Sequence, residues 1–168
     1  TLGRLRKLGI GKTLLITGDS PEAARPIAKE LRISDLYAQA LPGEKLQILE
    51  GLTQRPVAFV GDGVNDAPSL TAADVGIAIG ARGATAASES ADLVIMPNDI
   101  SRVADAVQIA QRTFSIARQS ILVGIGLSLM LMVIFSTGRF TALMGAVVQE
   151  VVDVVVIFNA LRAHNSRF

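Results

Sequence analysis

Two carboxylates and an amide crowd into five positions of this chain, Asp62, Asn65 and Asp66 within the run Gly61-Asp62-Gly63-Val64-Asn65-Asp66-Ala67-Pro68-Ser69-Leu70. The run follows apolar residues 57–60, which read as a short buried strand. Asp62 then stands where a parallel strand ends, the edge at which open α/β sheets hold their ligands. Gly61 and Gly63 allow a tight turn and close backbone approach. With Asn65 between them, Asp62 and Asp66 face one small volume. Such a group suits Mg²⁺ beside a phosphoryl group, because Mg²⁺ binds through one or two carboxylates plus substrate oxygens. Asp-Gly and Asn-Asp are also ordinary turn pairs. The whole ten-residue string, rather than any pair in it, favours chemistry.

Phosphoryl transfer is mostly positioning and electrostatics, so a cation, a hydroxyl and a metal clamp are the parts to seek. Lys45 can neutralise phosphate charge as a point cation, or can be a solvated helix lysine. Thr17 ends an apolar strand over 13–17 and can donate its hydroxyl to a phosphate oxygen, or can serve only as a β-former. A second group lies far along the chain. Glu150 and Asp153, three apart and so on one face of a helix, interrupt an apolar stretch and are flanked by Gln149. A carboxylate near the centre of a membrane span costs about 2.5–3.5 kcal/mol on insertion scales, so such residues usually face the bundle interior and serve ions or protons. A polar contact between helices is the alternative. Oxygen ligands fit hard or borderline divalent ions better than Cu(I).

The elements that hold these residues alternate. A strand over 13–17 leads to Ser20 as N-cap and Pro21 at the first helical position. The helix that follows runs to about Arg32, and Pro26 predicts a kinked or frayed start. A second helix opens at Pro42 or Gly43 and continues through Leu52. The strand 57–60 comes next, then a helix from near Asn65. Further strands are expected over 75–79 and 93–96. Strands alternating with helices argue for a parallel α/β sheet. Asn98 and Asp99 start another helix, whose Val103, Val107, Ile109 and Ala110 carry an apolar face toward Ile116.

With 168 residues the chain holds one domain and little more. Half its residues are hydrophobic, and the mean hydropathy of +0.46 reflects an excess near the C-terminus. A net charge of +1 gives no reason to expect nucleic acid. Cysteine is absent, so no disulfide or thiolate metal site lies in this sequence. No secretory signal opens it. It begins without methionine inside what reads as a helix, and is expected to be part of a longer protein. Residues 119–138 are uncharged, enough to span roughly 30 Å at about 1.5 Å per residue. Arg139 follows, then a second apolar stretch over 140–161. Arg112 and Arg118 before the pair, with Arg162 and Arg167 after it, outweigh Arg139 in the turn. That bias predicts a cytoplasmic α/β part and C-terminus. A buried soluble hairpin is the other reading.

In this order and spacing the segments resemble the P-type ATPases, cation pumps whose phosphorylation domain is haloacid-dehalogenase-like. Residues 61–70 resemble the hinge motif of that family. Thr17-Gly18-Asp19 resembles its TGD segment, and Leu41-Pro42-Gly43-Glu44-Lys45 its lysine loop. Residues 72–80 and 90–96 continue the likeness, and Asn159-Ala160-Leu161-Arg162 is similar to the end of the last membrane helix in the heavy-metal class. The resemblance implies a parallel-sheet, Rossmann-like α/β domain over 1–98, a connecting helix over 99–118, transmembrane helices over 119–138 and 140–161, and a cytoplasmic tail over 162–168. It implies that Asp62 ligates Mg²⁺ with support from Asp66, and that Asn65 hydrogen-bonds the phosphoryl group. Thr17, Gly18 and Lys45 would form the phosphate site, with Gly18 and Asp19 shaping a turn and hinge.

ATP is the implied substrate, and Gln149, Glu150 and Asp153 are candidates to meet a transported metal cation. The implied partners are the nucleotide-binding and actuator domains, other membrane helices and the lipid bilayer, in the plasma membrane of a bacterium. Helical continuity from Asp99 into the first span would carry phosphorylation changes to the ion site. The stretch 149–153 departs from the copper and zinc patterns of the heavy-metal class and shares Glu150 with the cobalt-related one. A divalent transition metal is expected. The phosphorylated aspartate of the family lies in a DKTGT segment that this sequence does not contain. The chain alone is therefore expected to form no aspartyl-phosphate. A membrane-anchored phosphatase and a noncatalytic membrane module are the alternatives.

Overall fold

A computed structural model describes residues 1–62, 64–80, 86–138 and 141–163. Gly63 of the expected turn, and Arg139, Phe140 and Arg167 of the membrane reading, lie outside the described residues. The chain divides into two compact units, Thr1–Asp105 and Ala106–Phe168.

Every strand pairing among the described residues of the first unit is parallel. β1 (Leu14–Ile16) pairs with β2 (Asp35–Tyr37), Leu15 opposite Leu36. β3 (Ala58–Gly61), β4 (Val75–Ile79) and β5 (Leu93–Ile95) form a second ladder with β4 in the middle. After Val75, β4 is buried throughout, as a strand covered on both faces must be. The helix α1 (Leu2–Lys7) precedes β1, and α2 (Pro21–Leu31), α3 (Pro42–Glu50), α4 (Ala67–Ala72) and α5 (Ala86–Ser90) connect the strands. Leu70 of α4, Ala78 of β4 and Ala87 of α5 make a buried core, with Phe59, Ala91 and Val94 packed against it.

Local chemistry fixes the boundaries. The Ser20 hydroxyl accepts from the Ala23 N–H at 3.4 Å, and α2 ends where Arg32 turns left-handed at φ 54°. Pro26 does not break α2. The carbonyl it leaves without a donor is that of Glu22, in an exposed first turn open to solvent. α3 stops at Glu50, with Gly51 as its cap, two residues short of the expected end. β3 lies one residue later than expected. The helix expected from Asn65 begins instead as a 3₁₀ turn over Val64–Asp66, and α4 follows it.

Asp74 ties the entry of β3 to that of β4. Its carboxylate accepts from Arg55 Nη1 at 2.8 Å and from the Val57 N–H at 2.7 Å. The Arg55 hydrogen bond first, and the Val57 amide second, hold its pKa below the ordinary carboxylate range. A depressed folded-state pKa stabilises above the unfolded value, and that contribution disappears as pH falls through the depressed one. Amide exchange at Val57 is therefore expected to gain an acid-dependent opening below the usual carboxylate range. Asp74→Asn should open this amide at neutral pH and flatten the profile. An unchanged profile in the variant would assign the pH dependence elsewhere.

α6 (Ser101–Phe135) begins in the first unit, where Val103 and Ala104 are buried, and runs unbroken into the second. This single helix covers the expected connecting helix and most of the first expected span. α7 (Ala142–Leu161) is capped by the Thr141 hydroxyl, which accepts from the Met144 N–H at 3.4 Å. Both helices are long and apolar enough to cross a membrane.

Within the second unit they meet antiparallel along one seam, Ser120 against Asn159, Ser128 against Gln149. Glycines admit the approach. A Cβ on Gly124 would lie 3.4 Å from Val156 Cγ2, and one on Gly145 3.3 Å from Phe135 Cδ1. The remaining faces expose large apolar side chains, among them Leu122, Met132, Leu143 and Phe158.

Candidate functional site

β3 delivers Asp62 to the C-terminal end of a parallel strand, where it is exposed. The 3₁₀ turn then reverses the chain, leaving Asn65 exposed and sending Asp66 inward. Asp66 is 7% exposed and rests on Gly61. A Cβ at position 61 would fall 2.8 Å from Asp66 Oδ2 and 2.9 Å from its Cβ, so only glycine leaves room. The other oxygen, Asp66 Oδ1, accepts from Lys45 Nζ at 2.8 Å, in a pair whose side chains are 18% and 10% exposed. Lys45 comes from the first turns of α3, which packs against α4. Glu44 braces that helix start by accepting from the Leu41 N–H at 2.8 Å.

Thr17 follows β1 and is stitched to the segment after β2. Its N–H donates to the Tyr37 carbonyl at 2.9 Å, and its own carbonyl accepts from Ala40 at 3.0 Å. The Asp19 carbonyl accepts from Gln39 at 2.8 Å. Gly18 passes near the Ala40 carbonyl, which a Cβ there would approach to 3.8 Å. The Thr17 hydroxyl donates to Asp19 Oδ2 at 3.0 Å and accepts from the Asp19 N–H at 3.2 Å. Of the phosphoryl-site residues read from sequence, Lys45 and Asp66 are in direct contact. Thr17 instead engages Asp19, the expected turn residue. Asp62 and Asn65 are left facing solvent.

Along the helix seam Gln149 is the junction. Its Nε2 donates to Ser128 Oγ on α6 and to Asp153 Oδ1 one turn on, both at 3.0 Å. Both protons of the amide are thereby used, and its carbonyl oxygen is left to accept or ligate. Glu150 is exposed. Ser128 was not among the expected site residues. Its signal is a small polar residue eight after Ser120 in the uncharged stretch of α6, at seam spacing. Ser120, 4% exposed, is occupied by Asn159, whose Nδ2 donates to its Oγ at 2.7 Å.

Known proteins match in both units. The model of the haloacid dehalogenase-like hydrolases matches residues 1–74. A zinc-transporting ATPase of Synechocystis sp. is 39% identical over 163 residues, which are 94% of this chain and 22% of the relative. A cadmium, zinc and cobalt-transporting ATPase of Bacillus subtilis is 37% identical, across 94% of this chain and 23% of its own length. A solved zinc-transporting PIB-type ATPase superposes with a TM-score of 0.85 at 35% identity, covering 96% of this chain and 26% of that one. The chain thus spans about a quarter of the length of each of these three proteins. The likeness runs through the α/β unit and both apolar helices, so over nearly its whole length the chain is similar to one part of a heavy-metal P-type ATPase.

Proposed function

We propose that the full-length protein carrying this chain is an ATP-driven pump for a divalent transition-metal ion, working through an aspartyl-phosphate whose aspartate lies outside this sequence. The observation that carries this reading is the 35% identical superposition over 96% of the chain, since it includes the α/β unit and the helix pair alike. Among the described residues β1 pairs only with β2, and β3 only with β4, so each has an edge without a strand partner. A further parallel strand bearing the nucleophile fits at such an edge. It would end at the same kind of rim as Thr17 and Asp62.

The donor set at that rim consists of oxygens, which fits Mg²⁺ and not a soft metal. Asp62 would hold the ion, with Asp66 behind it. Bound there, Mg²⁺ supplies charge neutralisation at the phosphoryl oxygens. The chain's own groups do the positioning. Lys45 brings a cation whose place is fixed by Asp66, so little reorganisation is needed when negative charge develops. Asn65 can hydrogen-bond a phosphoryl oxygen, and Thr17 can do so once its hydroxyl leaves Asp19.

For the cargo, Glu150, Asp153 and the Gln149 carbonyl offer oxygens at one level of α7, and Ser128 orients the amide. The arginine bias at the helix ends supports a cytoplasmic α/β unit, in the plasma membrane of a bacterium. The test is transport by the full-length protein in vesicles, with zinc, cobalt, manganese and copper(I) compared. Glu150→Ala and Asp153→Ala are each expected to weaken divalent-ion transport by at least about tenfold, the scale for losing a group that holds or orients a metal. Copper(I) transport should not replace it. Unchanged divalent transport in both variants removes these residues from the ion path.

A further inference from the structure

We propose that α1 is a coupling bracket, which through Arg4 and Arg6 ties the helix after the Thr17–Asp19 turn to the first turns of α6. Arg4 and Arg6 stand two residues apart, and so about 200° apart around the helix, with Leu5 buried between them. One guanidinium therefore reaches each neighbour. Arg6 Nη2 donates to the Arg32 carbonyl at 2.7 Å, at the C-terminal end of α2. A cation is also favoured there by the helix dipole. On the other side Arg4 Nη2 donates to Asp105 Oδ1 at 2.7 Å. Asp105 Oδ2 accepts from Arg102 Nη1 at 3.4 Å, so both oxygens of this carboxylate are engaged.

Placement gives these contacts a role. α2 starts at its Ser20 cap, directly after the turn in which the Thr17 hydroxyl donates to Asp19 Oδ2 at 3.0 Å. A phosphoryl oxygen that takes this hydroxyl breaks the bond, which gives the turn a second state. Pro26 leaves α2 continuous, so a displacement at its start is carried to Arg32. At the far end of the bracket, Asp105 is the last residue of the α/β unit, and α6 runs on from it unbroken to Phe135. The side chains of Arg4 and Asp105 are 50% and 28% exposed, and an ion pair so open to water adds little to stability. A small bias is nonetheless sufficient between two nearly balanced states, because an equilibrium shifts by the difference in interaction between them. Arg4, Arg6 and Asp105 are positioning residues. They set how closely α6 follows the Thr17–Asp19 turn.

The inference rests on the pump reading above. Its test uses the full-length protein in vesicles, with uptake of zinc, cobalt and manganese measured beside ATP hydrolysis and the apparent melting temperature. Arg4→Gln and Asp105→Asn should each lower the ions moved per ATP by about two- to fivefold, the scale for an exposed pair. The double variant should lower the ratio no further, because the same contact is lost in all three. Arg6→Ala, which frees α1 from α2, should also lower it. Lys12→Gln removes another exposed ion pair of the α/β unit, to Asp35 at 3.3 Å, and should leave the ratio at the wild-type value. An unchanged ratio in any of Arg4→Gln, Asp105→Asn and Arg6→Ala overturns the proposal. So does an additive loss in the double variant, an equal loss in Lys12→Gln, or uptake and hydrolysis that fall in proportion as melting drops. The two failures are separable. Wild-type protein that hydrolyses ATP and moves none of the three ions removes the pump reading, whereas wild-type transport with a variant-insensitive ratio removes only the bracket.

Discussion

Replacing Asp62 with asparagine in the full-length protein is expected to lower Mg²⁺-dependent ATP turnover by about 10²–10³-fold, the scale for losing one preorganised charge-stabilising group. The fold should be untouched. Asp62 is exposed at the tip of β3, so its neutralisation strands no buried partner. Exposed substitutions of this kind usually stay within about 0.5 kcal/mol of wild type. Asp66 offers no such separation, because its carboxylate carries the charge that holds Lys45 at 2.8 Å. Losing it leaves a largely enclosed ammonium without a counterion, and stability and turnover fall together. The measurement is phosphoenzyme labelled from radioactive ATP at rising Mg²⁺, beside the apparent melting temperature. Loss of label at unchanged melting assigns Asp62 to the chemistry. Normal labelling and turnover would make it a turn residue and nothing more.

The strand-tip position of Asp62 could be read from sequence because its environment is local. An apolar run, a glycine and a carboxylate at the strand tip are written in consecutive residues, and β3 follows that order within one position. The Lys45–Asp66 pair depends on packing of α3 against α4 across 21 residues of sequence, which no local pattern encodes. The commitment of the Thr17 hydroxyl to Asp19 was hidden for a related reason. A threonine at a strand end bonds its own turn as readily as a substrate. β2 escaped notice because Asp35-Leu36-Tyr37 has neither an apolar run nor alternation long enough to read. Its strand character comes from pairing with β1 and from the turn stitched to Thr17. α5, five residues long, is held by burial of Ala87 in the core and not by helical propensity. In the helix pair the charges Glu150 and Asp153 were conspicuous, whereas Ser128 matters only because α7 sets Gln149 opposite it.

Gly76→Ala is expected to be the most destabilising single-methyl change in the α/β unit, costing about 3 kcal/mol, the upper end for overpacking. A Cβ there would lie 2.5 Å from the Leu70 carbonyl oxygen, 3.0 Å from its carbonyl carbon and 3.2 Å from its Cα. All three are backbone atoms, so no rotamer change relieves the clash. Nor can β4 retreat freely, since the Gly76 N–H donates to Asp92 Oδ2 at 2.8 Å and Phe59 of β3 pairs alongside. α4 has to give way, and Leu70 is fully buried in the core it anchors. The residue before α4 is Asp66, so displacement of that helix reaches the Lys45 pair. Hydrogen exchange in the full-length protein reads the effect locally. Amides of β4 should lose roughly 10²-fold protection, the equivalent of about 3 kcal/mol of local stability, and phosphoenzyme should fall with them. Gly3→Ala, where a Cβ would meet nothing within 4 Å, is the control and should change neither. Wild-type protection in Gly76→Ala would mean that α4 is free to shift without cost. The close contact between helix and strand would then not be what holds Asp66 in place.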